Sequence, residues 1–294
     1  MLADKGEVVE EWVDLRFFRP LGFRLASRLM PGRVTPDQVT FISLVLGLVA
    51  GHLFVYDGFA LNALGLLLFI VSDIFDSADG QLARMRGSST RFGRMLDGIS
   101  DNVRFVNLYA HLIVRLVLAG WSGTDAVLLA VAAGVSHSTQ SAASDFFRQG
   151  YLYFCTAGGE FDLPESLPPG SGPWYQRLVA AIYRSHVVRQ AALFSRTAAL
   201  ARAMPREGVP SALAAAYRAS QASLVKSCAW VAQNIRFALL AVTAMVGWPA
   251  GFFWLSIIPL NMILVVLVVQ HERHAAQLLQ LTAVAPALSD AQLA

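Results

Sequence analysis

The sequence predicts an all-α polytopic membrane protein with about six transmembrane helices, an N-terminal interfacial helix and a cytoplasmic helical insertion. Three observations carry this. Of its 294 residues 55% are hydrophobic and 15% charged, where a soluble domain averages about 25% charged. The apolar residues fall in runs close to the ~20 that a bilayer-crossing helix needs. The cationic residues, nearly all arginine with Lys5 and Lys226 the only lysines, are absent from three short connections and cluster in the opposite ones. The net charge is a modest +3, and no nucleic-acid partner is expected.

The elements follow in order. Residues 1–37 form a cytoplasmic or interfacial segment: "EEWVDLRFFRPLGFRLASRLM" mixes aromatics and leucines with arginines, as a helix lying in the membrane interface does. The alternative is an amphipathic helix packed on the bundle. The start lacks a basic region followed by an apolar core, so no cleavable signal peptide is expected. Residues 38–145 form the membrane core, with spans near 38–56, 60–76, 102–120 and 125–144. Residues 146–226 are a cytoplasmic insertion. Its first part, "TAGGEFDLPESLPPGSGPWY", is Gly/Pro-rich loop; its second has helical periodicity with arginine on one face, and would either lie in the interface or cap the active site. Residues 227–272 carry two further spans, 228–248 and 252–271, and 273–294 form a tail read as disordered at "VAPALSDAQLA". The connections "YDG", "GWSG" and "GWPAG" hold no Lys or Arg, whereas the opposite ones hold Arg84, Arg86, Arg91, Arg94, the stretch from Arg148 to Lys226, and Arg273. By the positive-inside rule the latter face the cytoplasm, as do both termini. Cys155 and Cys228 form no framework or zinc spacing and are read as reduced thiols.

Against this greasy background stands "DIFDSADGQLARMRGSSTRFGRMLDGISDNVRF", with Asp73, Asp76, Asp79, Asp97 and Asp101. Asp76 and Asp79 are three apart and share one side of a helix. Gly80 removes a side chain beside them, so a ligand can approach closely. Gly93, Asp97 and Asp101 recur every four residues on one face of the next helix. Four carboxylates brought together at a membrane edge repel strongly unless neutralised. Hard oxygen ligands in that number suit Mg²⁺, Mn²⁺ or Ca²⁺. Solvated charges paired with arginines are the competing reading, and would suffice for a single aspartate. Metal-bridged oxygens point to phosphoryl chemistry on a diphosphate, with one carboxylate left to deprotonate an attacking hydroxyl.

The order Asp76-x-x-Asp79-Gly80-x-x-Ala83-Arg84, eight residues, Gly93-x-x-x-Asp97-x-x-x-Asp101 resembles the signature of the CDP-alcohol phosphatidyltransferase family at every position. The resemblance covers about residues 12–145 and leaves 146–226 unexplained. It implies a phospholipid-synthesising transferase that passes the phosphate-bearing group of a CDP-linked lipid, most readily CDP-diacylglycerol, to an acceptor hydroxyl and releases CMP. It further implies two divalent cations, Mg²⁺ or Mn²⁺, on Asp76, Asp79, Asp97 and Asp101, with Asp101 also the catalytic base. Thr40, Asp73, Gly80, Ala83, Arg84 and Gly93 would form the nucleotide side. "VTPDQVT" resembles the family's Thr-Pro-Asn-x-x-Thr element, with Asp37 standing where Asn is usual and Thr40 the better contact. A homodimer in the bacterial inner membrane, its site facing the cytoplasm, is the implied setting.

The acceptor pocket is sought along "SHSTQSAASDFFRQGYLYF" and the start of the third span. Arg104, His137, Gln140, Asp145 and Arg148 are the candidates; polar groups there would otherwise serve as interhelical hydrogen bonds. Two other readings remain. An intramembrane prenyltransferase would want a second aspartate-rich motif, where the later half offers only isolated acids such as Asp145 and Asp162. A divalent-cation transporter would want carboxylates in mid-span, not gathered at one edge.

Overall fold

The computed structural model describes residues 9–88, 91–156, 161–167, 170, 172–205 and 208–291, without the side chains of 91–97 and 283–291. Every regular element among the described residues is helical. The chain forms two compact units, Met1–Ser138 with Gln233–Pro259 and Thr139–Ala232 with Leu260–Ala294.

In the first unit a π-helical turn, Asp14–Phe18, runs into α1, Arg19–Leu29. Gly22 lets α1 press on α3, because a Cβ there would meet Ser77 Oγ at 2.6 Å. A small apolar cluster of Ala26, Val39, Ala78 and Leu82 seals the contact. The first helical segment is thus packed on the bundle, with Trp12 and Phe17 left exposed. The turn after α1 is closed by a distant residue. The Arg86 guanidinium donates to the carbonyls of Leu29, Met30, Gly32 and Val34 at 2.6–3.3 Å, satisfying groups that a helix end leaves open.

α2, Pro36–Leu53, starts on a capping box in which Thr35 accepts from the Gln38 N–H and the Gln38 side chain accepts from the Thr35 N–H. α3, Phe59–Met85, and α4, Arg91–Leu118, are 27 and 28 residues long. α2 packs on α3 and α4, and α9, Gln233–Met245, packs on α3 and on α10, Pro249–Ile257. The core between them is Phe54, Phe69, Leu108, Leu112, Leu116, Leu240 and Phe253, among others. Two of the connections without Lys or Arg turn on glycine: Gly120 and Gly247 sit at φ +93° and +67°, a region open to glycine. At that end buried Arg115 donates to Asp57 Oδ1 at 2.8 Å and Asn62 Oδ1 at 3.3 Å.

The second unit takes the remainder of α5, Gly123–Cys155, with α6, Trp174–Leu193, α7, Ser195–Arg202, α8, Ser211–Ser227, and most of α11, Pro259–Ala291. α6 is tied to α5 by Gln190 Nε2 donating to the Ala142 carbonyl at 2.8 Å. Glu272 of α11 accepts from the N–H groups of Arg196 and Thr197 and from the Thr197 hydroxyl, at 2.6–3.1 Å. A carboxylate from another helix therefore caps the start of α7. Cys155 and Cys228 are free and buried.

Among the described residues four helical runs are long and apolar enough to cross a membrane: Pro36–Leu53, Phe59–Met85, Ser211–Met245 and Pro249–Thr282. The count of six is not reproduced. The expected spans 102–120 and 125–144 lie in α4 and α5, whose hydropathy is lowered by Arg104 and Arg115 and by the run "SHSTQSAAS". The C-terminal segment read as disordered continues α11 as helix to Ala291, through Pro286.

Candidate active site

The first unit brings the aspartates of α3 to those of α4 through antiparallel geometry. At about 1.5 Å rise per residue, Asp73, Asp76 and Asp79 lie roughly 21, 25 and 30 Å along α3 from Phe59. Measured back from Leu118 by the same rise, Arg104 and Asp101 lie roughly 21 and 26 Å along α4. The two sets therefore meet at matching depth, close to the edge of a hydrocarbon core about 30 Å thick.

Arg104, 3% exposed, is the centre of the constellation. One of its terminal nitrogens donates to Asp73 Oδ1 at 2.9 Å and Ser72 Oγ at 2.8 Å. The other donates to Asp76 Oδ1 at 3.5 Å and to Asp101 Oδ1. Its stem lies in a groove of α2 made by Gly47, where a Cβ would collide with Arg104 Cδ and lie 3.2 Å from Ser72 Oγ. α2 and α3 are locked by reciprocal bonds: Ser43 Oγ donates to the Ser72 carbonyl, and Ser72 Oγ to the Ser43 carbonyl, each at 2.8 Å. Gln233 Nε2 of α9 adds a donor to Asp73 at 3.3 Å. Next to it Asn234 bridges Glu11 and Asp14, at 2.8 and 3.0 Å, drawing the N-terminal segment to the same end.

Asp79, buried, accepts from the Thr40 hydroxyl at 2.5 Å. Asp76 and Asp101 are half-buried and face the same guanidinium. Among the described residues, the side-chain atoms within 4 Å of a Cβ added at Gly80 belong to Arg84, the nearest at 3.4 Å, so beside Asp76 and Asp79 only Arg84 approaches this position. Ala83 and Arg84 follow on α3. Gly93 and Asp97 lie on the α4 backbone, but their side-chain positions are outside the described residues.

The donor set suits a hard divalent cation: carboxylate oxygens with no thiol or imidazole among them. Among the described residues no three ligating groups are already gathered around one point. Asp76 and Asp101 converge on Arg104, whose guanidinium supplies positive charge there. Asp76, Asp79 and Asp101 fit such a cation by type, with Asp79 one turn from Asp76 on α3.

The acceptor candidates divide. Arg104 is committed to the carboxylates rather than presented on a wall. His137, half-buried in the first unit, is held by the Tyr109 hydroxyl at 3.2 Å and lies edge-on to Phe105 with ring centroids 4.2 Å apart. In the second unit buried Gln140 donates to Asn261 Oδ1 at 2.7 Å. There Asp145 is exposed and Arg148 half-buried. The sequence reading passed over Ser43, Gly47, Ser72 and Gln233. A signal existed for the first two: Thr40, Ser43, Gly47 and Gly51 are spaced as one face of a helix and are all small, the pattern of close helix approach in membranes. Gln233 had none.

Residues 33–149 match the sequence profile of CDP-alcohol phosphatidyltransferases. The chain is 37% identical over 111 residues to a phosphatidylinositol phosphate synthase of Mycobacteroides abscessus, covering 35% of this chain and 46% of that protein. It is 39% identical over 77 residues to a CDP-diacylglycerol–serine O-phosphatidyltransferase of Methanocaldococcus jannaschii, covering 26% and 33%. It is 29% identical over 86 residues to a bifunctional IPC transferase and DIPP synthase of Aquifex aeolicus, covering 28% and 19%. The chain thus matches less than half the length of each of these relatives.

Proposed function

With residues 33–149 a CDP-alcohol phosphatidyltransferase domain, we propose that this protein transfers the phosphatidyl group of CDP-diacylglycerol to a hydroxyl of a polar head-group alcohol and releases CMP. The observation that carries the reading is the convergence of Asp76 and Asp101, from two helices, at one depth beside Gly80, where among the described side chains only Arg84 comes close. Asp76, Asp79, Asp97 and Asp101 would hold two divalent cations, Mg²⁺ or Mn²⁺, whose charge would offset that of the diphosphate and its leaving group. Asp101 Oδ accepts the proton of the acceptor hydroxyl as its oxygen bonds to the lipid-side phosphorus. The bond from that phosphorus to the bridging oxygen breaks, and the electron pair leaves with CMP. Thr40 orients Asp79 through its hydrogen bond, and Arg104 fixes the spacing of Asp76 and Asp101 from behind. Gly80 leaves room for the nucleotide, flanked by Asp73, Ala83, Arg84 and Gly93.

On the acceptor side His137 is carried forward in the first unit, with Gln140, Asp145 and Arg148 of the second unit as separate candidates to be tested one by one, and the working form is taken as a homodimer in a bacterial inner membrane with the site toward the cytoplasm. Inositol phosphate and serine head the acceptor panel, because relatives named for those products share the domain. The test is CMP release by purified protein with CDP-diacylglycerol, Mg²⁺ and a panel adding glycerol phosphate and inositol. Release with one acceptor, abolished by chelation and lowered at least about a hundredfold in Asp101→Asn, is the expected result. Folded protein that binds no CDP compound would overturn the reading.

A further inference from the structure

The insertion that the family match leaves out carries a surface of its own. α6, Trp174–Leu193, holds three arginines, Arg177, Arg184 and Arg189, and no acidic residue. Only its Val187, Gln190 and Ala191 are buried. Along the other side Trp174, Leu178 and Ile182, spaced four apart, are 70%, 52% and 49% exposed, and Val188 and Leu193 are exposed as well. An apolar stripe this large is not left to water on a stable protein.

Two bonds fix the level at which the helix sits. Gln190 is held by the Ala142 carbonyl of α5, and Ala142 is roughly 29 Å along α5 from Gly123 by helical rise. The junction of α6 and α7 is held by Glu272 of α11, just past the apolar run 260–269 of that helix. The Ala142 anchor falls where a hydrocarbon core about 30 Å thick that begins at Gly123 would end, and the Glu272 anchor falls where the apolar run of α11 ends. α6 is therefore attached at the membrane boundary, its apolar face open, with Arg177 beside the stripe and Arg189, seven residues past Ile182, in line with it toward the end of the helix.

We propose that α6 is a membrane-surface helix whose Trp174–Leu178–Ile182 face enters the cytoplasmic leaflet while Arg177 and Arg189 contact anionic lipid headgroups. Arginine stems can lie along the apolar boundary with their guanidinium groups among phosphates, and a basic amphipathic helix binds anionic surfaces more strongly than neutral ones. Arg184 also ties the helix to the insertion, donating to the Leu167 carbonyl at 2.9 Å.

The test uses intact protein in nanodiscs of phosphatidylcholine with and without phosphatidylglycerol. Spin labels are placed singly at Leu178 and Ile182, in a background with Cys155 and Cys228 replaced by alanine. Accessibility to oxygen above that to a water-soluble nickel chelate, at both sites, is the expected outcome. Greater nickel access would overturn the proposal, and so would shielding from both, which would mean a second protein copy covers the face. With phosphatidylglycerol present, each of Arg177→Gln and Arg189→Gln should lower the membrane-bound to free ratio of α6 about fivefold; no dependence on lipid charge would overturn the headgroup assignment. Should the labelled background fail to fold, quenching by brominated lipid is compared in wild type and Trp174→Phe. Loss of a quenched component in the variant supports the proposal, and identical quenching refutes it.

Discussion

Replacing Arg104 by methionine removes the guanidinium while leaving most of the side chain's length in the Gly47 groove. Asp73, itself buried, would lose its 2.9 Å donor and keep only the 3.3 Å bond from Gln233. Ser72 Oγ would lose a donor as well. Breaking a buried pair by deleting one partner costs about 3–5 kcal/mol. The half-exposed contacts to Asp76 and Asp101 add at most about 1 kcal/mol each after solvent screening. A net loss near 4 kcal/mol corresponds, at about 2–4 °C per kcal/mol, to a thermal midpoint lowered by roughly 10 °C. The assay is thermal unfolding of the purified protein in detergent, followed by near-ultraviolet circular dichroism. Adding Asp73→Asn to the variant should restore most of the loss, because the uncompensated charge is then gone. Mg²⁺ should stabilise Arg104→Met more than it stabilises wild type, because the carboxylates that faced the guanidinium remain. A midpoint within about 2 °C of wild type, or a double variant no more stable than the single, would refute the reasoning.

Other perturbations test the framework around this centre. Gly47→Val should destabilise by about 1–3 kcal/mol, since its Cβ would press on Arg104 and Ser72; chemical unfolding reads it, and a neutral result would mean α2 and α4 can separate cheaply. Glu272→Ala should cost about 0.5–2 kcal/mol and raise amide hydrogen exchange first in α7, because it removes the acceptor of the Arg196 and Thr197 N–H groups. Outside the membrane, hydrogen bonds from Arg202 hold the Glu165 carboxyl below its ordinary range. The pair's contribution is therefore full above the usual carboxylate range and fades as pH falls through the lowered value. Both partners are about half exposed, so it should stay under about 1 kcal/mol; Arg202→Gln should return the Glu165 titration toward normal, as carboxyl NMR would report.

How far each feature could be read from the chain depends on how local its cause is. The aspartate helices were legible, because carboxylates three and four residues apart on a helix share a side whatever surrounds them, and because acids at the end of an apolar run need a reason. The partners of the charges inside α4 were not: Arg104 and Arg115 sit inside an apolar helix, and their ion pairs with Asp73 and Asp57 come from other parts of the chain.

The sequence by itself determined that carboxylates from two helices would gather at one end of a helical bundle, since spacing and depth follow from helical rise alone. Only the tertiary structure decided what balances them. Arg104 is three residues beyond Asp101 and looks like a free cation awaiting a ligand. It is instead drawn behind the carboxylates, because Gly47 on α2 leaves the groove, Ser72 offers an acceptor, and Asp73 cannot be buried alone. Those three residues lie on two other helices, and no pattern local to α4 contains them.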